Sequence, residues 1–404
     1  MDILVLNSGS SSLKFELIET SWQQIEENSD RSRASGAIEK IGLAGAEIHF
    51  ESGEDSVHDV EEILDHRSAM KHALRLLKEG PLEGELPDAV GHRVVHGGES
   101  LHESVEITQD VETEIEKCVR FAPLHNPHNL MGIRAARESF PDLPHVAAFD
   151  TGVYKTLPKK AYLYAIPRNF YHRHGIRKYG FHGLGHRYLR FRTAQLLDRP
   201  KTELDLLTLH LGNGSSITAF EQGKAVDTSM GFTPLEGLVM GTRCGDMDPA
   251  VVFYLMATEH YTPHDIEVIL NKQSGLLGLS GVNNDMEQLL EEAEKGHQAC
   301  EEAIDVYCHR LKKYIGSYQA VVNGADALLF SAGIGENAAE VRRRTLEGLD
   351  NIGIKLDHEA NEEAVGKEMK ISAEDSSTEV WVVPTDEEMV IARDTFRCLN
   401  PAKG

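Results

Sequence analysis

Apolar and polar residues alternate in two short stretches near the start of the chain, residues 3–7 and 13–18, which predicts a β-hairpin. The polar loop Asn7–Ser12 joins them, and its glycine, hydroxyls and amide are groups that bind phosphate. Apolar residues at helical spacing predict a helix from Val60 to Leu77, ended by Gly80-Pro81. Similar patterns predict strands at 88–98 and 145–152, helix at 286–323, and strand–turn–helix units at 327–349 and 379–396. Strands and helices interleave, as is typical of an α/β protein.

A second hairpin of the same design is predicted at residues 207–231. An apolar strand leads into Gly212–Ser216, and an alternating strand follows. Gly/Ser hairpins also recur by chance, but both loops combine Asn with Gly-Ser-Ser between strands, so we interpret the pair as a duplicated domain. Two such hairpins facing one another across a cleft would hold a polyphosphate from both sides.

Composition narrows the classes of protein that the chain can represent. Its 404 residues, with 41% hydrophobic and 26% charged, suit a globular protein of two domains. No run of 18 apolar residues and no basic-then-apolar leader occurs, so neither a membrane span nor a signal peptide is expected. The net charge of −24 argues against nucleic acid or an anionic membrane as a partner. Five cysteines without metal spacing predict free thiols in the cytoplasm.

Four cationic or hydrogen-bonding side chains lie on Gly- or Pro-rich segments: Arg93, His125, His182 and Arg243. Each alone has an ordinary explanation, such as an ion pair or a histidine that satisfies a turn. Together, with Lys14 after the first loop, they are the groups expected around a small anion and a transferring phosphoryl group. Neither a Walker loop nor a GxGxxG turn is present, so the phosphates would be met by the hairpin loops.

Two carboxylates are the predicted partners of Mg²⁺. Asp150 follows an apolar strand, and Glu387 opens the last helix. A magnesium nucleotide site needs only one or two carboxylates, because waters and phosphates complete the octahedron. Thr385 and Glu388 fit a capping box, which leaves Glu387 as the freer neighbour.

A turn that could receive an adenosine is predicted at "SAGIGENAAE". Its glycines, Gly333 and Gly335, stand beside Asn337, an expected N-cap with Glu340 three residues on. Asp285, in "GVNNDME", is a candidate partner from another loop. An ordinary Gly-rich connection between strand and helix remains the alternative.

In these segments the chain resembles the acetate kinase family (acetate and propionate kinases). The stretches that carry the resemblance run in family order nearly end to end: LVLNSGSSSLKF, GHRVVHGG, PLHNP, KYGFHGLGHRYL, HLGNGSS, DTSMGFTPLEGLVMGTR, SGLLGLSGV, GIGEN, GLDNIGIKLD and VPTDEEMVIARDT. The resemblance implies a duplicated ribonuclease H-like fold of the actin, sugar kinase and Hsp70 type, with two domains and a central cleft. It also implies a cytoplasmic homodimer that converts ATP and acetate reversibly into ADP and acetyl phosphate, with Mg²⁺ or Mn²⁺.

The resemblance also implies roles for particular residues. The expected catalytic groups are Asp150, His182, Arg243 and His125. Acetate would be bound by Arg93 and an apolar pocket of Val95, Leu124, Phe181 and Pro234. The nucleotide would contact Ser10, Ser12, Lys14, His210, Leu211, Gly212, Asn213, Gly214, Asp285, Met286, Glu287, Gly333, Ile334, Gly335, Glu336 and Asn337. The metal would be held by Asn7 and Glu387. Both residues belong to an N-terminal domain of residues 1–152 and 386–404, which would also bind the acid. Residues 153–385 would form the nucleotide-binding domain.

A carboxylic acid with a pKa near ~4 is already ionised at neutral pH, so the nucleophile needs no base. We therefore expect Asp150 to position magnesium and its waters rather than to take a proton. Departures from the family pattern occur at Leu184-Gly185, at residues 151–154, at the Ser331-Ala332 start of the turn, and at Asp386 in place of Asn. They concern the shape of the acyl pocket and the charge near the metal, and they remove no catalytic group.

Two alternatives stay open on the sequence. A propionate or butyrate kinase would use the same chemistry, and a methylene or two changes binding in an apolar pocket by only about 1–3 kcal/mol. An ATP-gated switch protein of the actin or Hsp70 type would share the fold without transferring a phosphoryl group to an acid. Such a switch has no need of the carboxylate pocket around Arg93. The GIGEN turn favours a nucleotide over pyrophosphate as the donor.

Overall fold

The computed structural model describes residues 1–9, 11–43, 45–53, 55–84 and 86–401. The chain forms two compact units. Unit 1 comprises Met1–Lys155 and Asp386–Gly404, and unit 2 comprises Thr156–Thr385. The chain passes from unit 1 to unit 2 after Lys155 and returns to unit 1 at Asp386.

Each unit is built on one mixed β-sheet. The strands of unit 1 are β1 (Asp2–Ser8), β2 (Leu13–Glu19), β3 (Arg31–Glu39), β4 (Ala46–Ser52), β5 (Asp55–Glu61), β6 (Ala89–Val94), β7 (Val105–Glu106) and β8 (His145–Phe149). Those of unit 2 are β9 (Leu206–Leu211), β10 (Ser215–Glu221), β11 (Lys224–Thr228), β12 (Ala327–Ser331), β13 (Met369–Lys370) and β14 (Glu379–Val382). The strand orders are β5-β4-β3-β2-β1-β6-β8-β7 and β11-β10-β9-β12-β14-β13.

The helices connect these strands and cover the sheets. They are α1 (Trp22–Glu27), α2 (His66–Glu79), α3 (Gln109–Lys117), α4 (Asn126–Ser139), α5 (Lys159–Tyr162), α6 (Asn169–His174), α7 (Gly183–Leu196), α8 (Ala250–Thr258), α9 (Pro263–Lys272), α10 (Gly275–Ser280), α11 (Met286–Glu294), α12 (Gln298–Val321), α13 (Ala332–Asn337), α14 (Ala339–Leu346), α15 (His358–Glu363) and α16 (Glu387–Leu399). Within the described ranges, no helix is both long and apolar enough to cross a membrane.

The two sheets share one plan, which confirms the predicted duplication. In unit 1, β1 pairs antiparallel with β2, β2 with β3, and β1 runs parallel to β6, which runs parallel to β8. In unit 2, β9, β10 and β11 repeat the antiparallel part, and β9, β12 and β14 repeat the parallel part. The five-strand orders β3-β2-β1-β6-β8 and β11-β10-β9-β12-β14 therefore correspond strand for strand. The predicted two-domain α/β fold is confirmed.

The alternation in β1 and β2 sorts their side chains between the two faces of the sheet, because successive strand residues point to opposite sides. Leu4 and Leu6 join a buried core with residues of α2 and α4. Neighbouring Asn7, which pairs with Lys14, points to the other face. Helix α16 packs on that face, since a side chain at Gly91 of β6 would come within 2.6 Å of Thr395 in α16. The polar face of the first hairpin is thus the face that α16 covers.

The predicted start of the second helix was wrong. Residues up to Glu61 belong to β5, and α2 begins at His66 rather than at Val60. The reason is a cap: Asp65 has an extended backbone, and its side chain accepts a hydrogen bond from the Ser68 amide. Leu64, assigned to the apolar face of the helix, is 70% exposed.

Candidate active site

Arg93, Asp150 and Glu387 form a charged group in unit 1. Arg93 lies near the end of β6, Asp150 directly follows β8, and Glu387 is the first residue of α16. The Arg93 Nη2 donates to Asp150 Oδ2 at 2.8 Å, and its Nε donates to Oδ1 at 3.3 Å. The Arg93 Nη1 lies 3.7 Å from Glu387 Oε2. Because β6 and β8 are parallel neighbours, their carboxyl ends bring Arg93 and Asp150 to one edge of the sheet.

The charges of this group are unbalanced, since one guanidinium faces two carboxylates. Burial raises the pKa of Asp150, Arg93 lowers it and Glu387 raises it again, leaving the pKa at about 6. Burial alone would lower the pKa of Arg93, but Asp150 and Glu387 outweigh that effect and raise it. Burial and the Glu387 charge also raise the pKa of Glu388. A buried site with this excess of negative charge suits a divalent cation.

The carboxylates fit Mg²⁺ only if other oxygens complete its coordination. Among the residues that the structure describes, no group of three or more His, Cys, Asp or Glu side chains is arranged around a common metal position. Magnesium keeps several waters and takes phosphate oxygens, so one or two protein carboxylates are enough. The Asn7 side chain shares the α16 face of the sheet, which adds an amide oxygen of the kind that Mg²⁺ accepts. The donor set present therefore fits magnesium.

The expected cap of the last helix was wrong by one residue. Asp386, not Thr385, is the N-cap of α16, and its side chain accepts a hydrogen bond from the Met389 amide at 2.7 Å. Asp386 therefore has a structural task where the family usually has Asn, a residue that caps equally well. Glu387 still begins the helix beside Arg93, because the shift in the cap leaves it in the first turn.

Of the predicted residues in the first loop, Ser10 lies outside the described residues. Gly9 and Ser12 close a tight turn, in which the Gly9 amide donates to the Ser12 carbonyl at 2.9 Å. Lys14 is exposed on β2. The next residue on the same face is Glu16, which sequence reasoning missed although its spacing from Lys14 would have revealed it.

Glu16 supplies a testable pH dependence of stability. Burial, partly offset by a hydrogen bond with Ser32 and reinforced by Asp386 and Glu388, raises its pKa from 4.5 to about 7. Between pH 4.5 and about 7, the folded state keeps a proton on Glu16 that the unfolded chain has released. The contribution of Glu16 to the free energy of unfolding therefore falls as the pH rises through this range. We expect Glu16→Gln to match the wild type near pH 4.5 and to exceed it by up to about 3 kcal/mol at pH 8.

Urea unfolding of both proteins at several pH values, without magnesium, checks this expectation. Glu19→Gln, which removes a carboxylate from the last residue of the same strand, is the matched control. An advantage of Glu16→Gln that does not grow with pH would contradict the assignment.

The loop after β6 is fixed by two buried asparagines that the sequence analysis did not single out. The Val95 amide donates to Asn129 Oδ1 and the His96 amide to Asn126 Oδ1, each at 3.1 Å. Asn129 also donates to the Ser8 carbonyl at 3.0 Å, which ties this loop to the first hairpin. The NPHN spelling within PLHNPHN, with two Asn on one turn of helix, was the available signal.

His125, Val95 and Leu124 differ in their surroundings. His125 occupies the N-cap position of α4, directly before Asn126. Val95 is nearly buried, whereas Leu124 is 54% exposed. Unit 1 thus holds two of the four predicted acyl-pocket residues. The other two, Phe181 and Pro234, belong to unit 2, where Phe181 is buried.

In unit 2, His182 and Arg243 approach the same glycine of the second Gly/Ser loop, Gly212–Ser216. A Cβ built on Gly214 would lie 3.3 Å from His182 Nε2 and 3.6 Å from Arg243 Nη1. A side chain at position 214 would therefore crowd both groups. His182 has φ +56°, in the left-handed region that costs a non-glycine residue about 1 kcal/mol or more. Such strain at a residue directly before α7 is typical of a functional position.

Arg243 is a half-buried cation with no carboxylate paired to it among the described residues. Its Nη1 donates to the Pro234 carbonyl at 3.2 Å and contacts the Met240 sulfur at 3.8 Å. No ion pair to it is found among the described residues. Burial lowers the pKa of Arg243, as expected where a charge is desolvated without compensation. A partly desolvated guanidinium that is not paired with a carboxylate favours the binding of an anion.

A series of hydrogen-bonded side chains fixes the orientation of the His182 ring. Its Nδ1 lies 2.9 Å from Ser216 Oγ, which lies 2.8 Å from His186 Nε2. The Nδ1 of His186 in turn lies 2.7 Å from Thr208 Oγ1. Burial, with the nearby His210, lowers the pKa of His186 well below its usual range and keeps that ring neutral. The network engages Nδ1 of His182 and directs Nε2 towards Gly214.

A cavity of about 760 Å³ opens beside the second loop. Eight of its lining residues were predicted for the nucleotide: Gly212, Asn213, Asp285, Met286, Glu287, Gly333, Ile334 and Asn337. Six were missed: Asn284, Leu290, Glu291, Glu294, Ala338 and Val365. The helical spacing of Leu290, Glu291 and Glu294 from Glu287 would have indicated three of them. The volume falls in the range of small-molecule sites, about 300–1,000 Å³.

The other nucleotide residues predicted within unit 2 do not line this cavity. His210 is on β9, with its ring centroid 4.4 Å from that of His182. Leu211 and Gly335 are buried. Glu336 accepts the Ala332 amide at 2.6 Å and so holds the turn closed.

The turn at residues 331–337 departs from its predicted cap. Asn337 ends α13 and donates to the Gly333 carbonyl at 2.9 Å, and Ala338 rather than Asn337 precedes α14. Ala332 has φ +61°, so the alanine that replaces the usual glycine adopts a backbone conformation that costs it about 1–2 kcal/mol.

Arg342 holds this turn from inside the unit. The side chain is fully buried, and its Nη1 donates to the carbonyls of Gly335 and Glu336, each at 2.9 Å. Its Nε and Nη2 donate to Asn361, and Nη2 also reaches the Ala364 carbonyl. Sequence reasoning missed it because a run of three arginines on a helix usually indicates a solvated face.

These features suit a class of enzyme that holds a nucleotide in one unit and presents further cations to the transferred group. The comparisons agree, and the chain belongs to the acetokinase family, whose model matches residues 2–393. It is 47% identical over 406 residues to an acetate kinase of Halothermothrix orenii, with 99% of this chain and 100% of that protein covered.

Two solved structures have the same fold and are each 40% identical in sequence to this chain. A Porphyromonas gingivalis acetate kinase superposes with a TM-score of 0.92 at 40% identity, covering 99% of this chain and all of that one. A Francisella tularensis propionate kinase superposes with a TM-score of 0.91 at 40% identity, covering 98% and 99%.

Proposed function

We propose that the protein is an acetate kinase, which transfers the terminal phosphoryl group of ATP reversibly to acetate and gives acetyl phosphate and ADP. The single observation that carries the proposal is Arg243, a half-buried cation with no carboxylate paired to it in the described part of the chain, beside His182 at Gly214. Gly212 and Asn213 of the same loop line the cavity of about 760 Å³. Unit 2 thus combines a space for a nucleoside with cations for a phosphate.

In this mechanism, unit 2 binds the nucleotide and stabilises the transferring group. The cavity receives the nucleoside, and the amides of the Gly212–Gly214 loop meet the phosphates. Arg243 and His182 Nε2 stabilise the charge on the phosphoryl oxygens, which is the main task in phosphoryl transfer. The Ser216–His186 chain supports His182 by fixing the direction of its ring.

Unit 1 binds the acid. Arg93 pairs with the acetate carboxylate, and one carboxylate oxygen attacks the terminal phosphorus as the bond to the ADP oxygen breaks. No proton must leave the nucleophile, since acetate is ionised at neutral pH. Asp150, with a pKa at about 6, is mostly ionised there too, so its role is to hold Arg93 and to help order the metal's waters.

Magnesium bound by Asn7 and Glu387, with Asp150 beside them, would neutralise phosphate charge and orient the nucleotide. The excess of carboxylates over guanidinium around Arg93 supports this assignment, and Mn²⁺ meets the same requirements. Glu387 is preferred over Glu388 because it lies at Arg93.

A propionate kinase is the second candidate, favoured by the structural similarity to the Francisella tularensis propionate kinase. The chemistry would be unchanged, and the choice depends on the apolar residues Val95, Leu124, Phe181 and Pro234. A difference of one methylene in such a pocket is worth about 1–3 kcal/mol, a 10–200-fold preference.

The test is ADP formation from MgATP with acetate, propionate and butyrate in turn, with hydroxylamine to trap the acyl phosphate. We expect carboxylate-dependent turnover and trapped product, with the highest kcat/KM for acetate. A maximum with propionate would move the assignment to the second candidate. ATP turnover that ignores the carboxylate would instead support an ATP-gated switch.

We also propose that the protein is a cytoplasmic homodimer. Helix α8 supports the dimer, because Phe253 and Tyr254 on it are 70% and 67% exposed, beside exposed Val251. Apolar side chains clustered in this way usually mark an interface. The five free cysteines support a reducing compartment. Light scattering of the purified chain should give twice its 44.8 kDa mass.

A further inference from the structure

Two histidines face each other on the outer hairpin of the unit 1 sheet. His49 of β4 and His58 of β5 are directly paired in the antiparallel register. Their Nδ1 atoms lie 2.7 Å apart, and their ring centroids are 4.8 Å apart at an interplanar angle of 80°. The proposed acid and nucleotide sites use neither residue.

Both imidazoles project into solvent from the same face of the sheet. Ile48 and Phe50, the neighbours of His49 along β4, point to the opposite face and are buried in the core. The histidine face also carries Glu47 and Glu51, two residues away from His49 on either side. The pair therefore lies on an accessible face, on which Glu47 is ion-paired with Lys40 and Glu51 is exposed.

The geometry matches two adjacent ligands of one metal ion. Two imidazole nitrogens at about 2.05 Å from a metal and at a right angle would be about 2.9 Å apart, whereas tetrahedral ligands would be about 3.3 Å apart. The observed 2.7 Å is a hydrogen-bond contact between the two rings, and it is close to the first value. Small rotations of two exposed side chains would supply the remaining few tenths of an ångström.

We propose that His49 and His58 form a binding site for a late first-row divalent cation of tetragonal preference, Cu²⁺ or Ni²⁺. Water completes the coordination, since within the described residues the two rings have no third His, Cys, Asp or Glu arranged with them as a ligand. Imidazole selects Cu²⁺, Ni²⁺ and Zn²⁺, whereas Mg²⁺ requires oxygen ligands. The site is therefore chemically distinct from the magnesium site of the proposed reaction.

The position of the pair gives the bound ion a structural consequence. β5 is the edge strand of the sheet, and each of its residues is exposed. An ion held by one residue of β4 and one of β5 would link the edge strand to its neighbour across the sheet. Because it would bind the folded hairpin in preference to the unfolded chain, it would raise the unfolding temperature.

The experiment is isothermal titration of the untagged, metal-free protein with NiCl₂ in the presence of excess MgCl₂. His49→Ala and His58→Ala each remove one ligand and should fold, since both side chains are exposed. His264→Ala is the matched control, because His264 is also highly exposed but is not paired with another histidine. The electron paramagnetic resonance spectrum of the Cu²⁺-loaded protein counts the nitrogen ligands independently of affinity.

We expect one Ni²⁺ per chain with Mg²⁺ failing to compete, and at least about tenfold weaker binding in either single variant. The His264→Ala protein should bind as the wild type does, and the Cu²⁺ spectrum should show two nitrogens that fall to one in each variant. Absence of saturable binding, or binding that both single variants retain, would overturn the proposal. Neither result depends on the kinase activity, so failure here is separable from failure of the proposed function.

Discussion

Replacing Arg93 by alanine is expected to lower kcat/KM for the carboxylate about 10²–10³-fold, while the affinity for ATP changes little. Arg93 is the cation proposed to hold the acid, and its guanidinium is already oriented by hydrogen bonds to Asp150. Unit 2 carries the cavity and the loop proposed for the nucleotide. Steady-state kinetics with varied acetate, and separate titration with ATP, measure the two effects.

The variant must also be shown to fold, because loss of the Arg93 guanidinium leaves the carboxylates of Asp150 and Glu387 facing each other inside unit 1. Removal of one partner from a buried ion pair costs about 3–5 kcal/mol. The double variant Arg93→Ala/Asp150→Asn removes one of the two like charges that the loss of Arg93 leaves uncompensated inside unit 1, so it should recover part of the stability without recovering activity. Arg134→Ala, which removes a half-exposed arginine paired with Glu112, is the control and should keep full activity.

A folded Arg93→Ala protein whose kcat/KM for acetate stays within a few-fold of the wild type would refute the proposed role. Carboxylate-independent ATP hydrolysis, unchanged by the substitution, would point to the switch protein instead. The assay therefore separates the two classes of function that the fold permits.

Replacing Arg342 by methionine is the second substitution with a large expected effect. Its guanidinium donates to four backbone carbonyls and to the Asn361 side chain, so its loss leaves several buried acceptors without a donor. Each such acceptor costs about 1–3 kcal/mol, and we expect a total loss of about 3–5 kcal/mol in the free energy of unfolding. Urea unfolding measures this loss.

The same substitution should raise KM for ATP more than it lowers kcat. The carbonyls of Gly335 and Glu336 belong to the turn whose Gly333 and Asn337 line the cavity, so the turn would lose its fixed position. The neighbouring Arg343→Met is the matched control. Its side chain is 36% exposed and pairs with Glu340, so it should cost less than about 1 kcal/mol. Equal effects of the two substitutions would exclude a positioning role for Arg342.

The local sequence pattern predicted the structure correctly wherever that structure depends on interactions between residues close along the chain. Alternation over residues 3–7 and 13–18 predicted the first hairpin, and the same plan at 207–231 predicted the second. Arg93 lies near the end of an apolar strand and Asp150 directly follows another, and parallel neighbouring strands bring such residues together once the strand order is known.

Errors occurred where one side chain decides between neighbours. The start of α2 and the cap of α16 depend on hydrogen bonds that the Asp65 and Asp386 side chains accept from amides three residues on, and the apolar periodicity extends across those boundaries. The run Arg342–Arg344 looks uniform, yet its first member is fully buried and the others are not. The difference depends on which face of α14 each arginine occupies, because one face packs against the rest of unit 2.

The sequence by itself determined the α/β class, the duplicated hairpins and the residue types of the proposed site, because these depend on periodicity and on short motifs. Only the tertiary structure decided that Arg243 is half-buried with no carboxylate paired to it among the residues described, that Arg342 holds the GIGEN turn, and that His49 faces His58. Each of these facts depends on strand register or on packing between segments far apart in the chain. Such contacts are fixed by the folded arrangement as a whole, and no local pattern of residues encodes them.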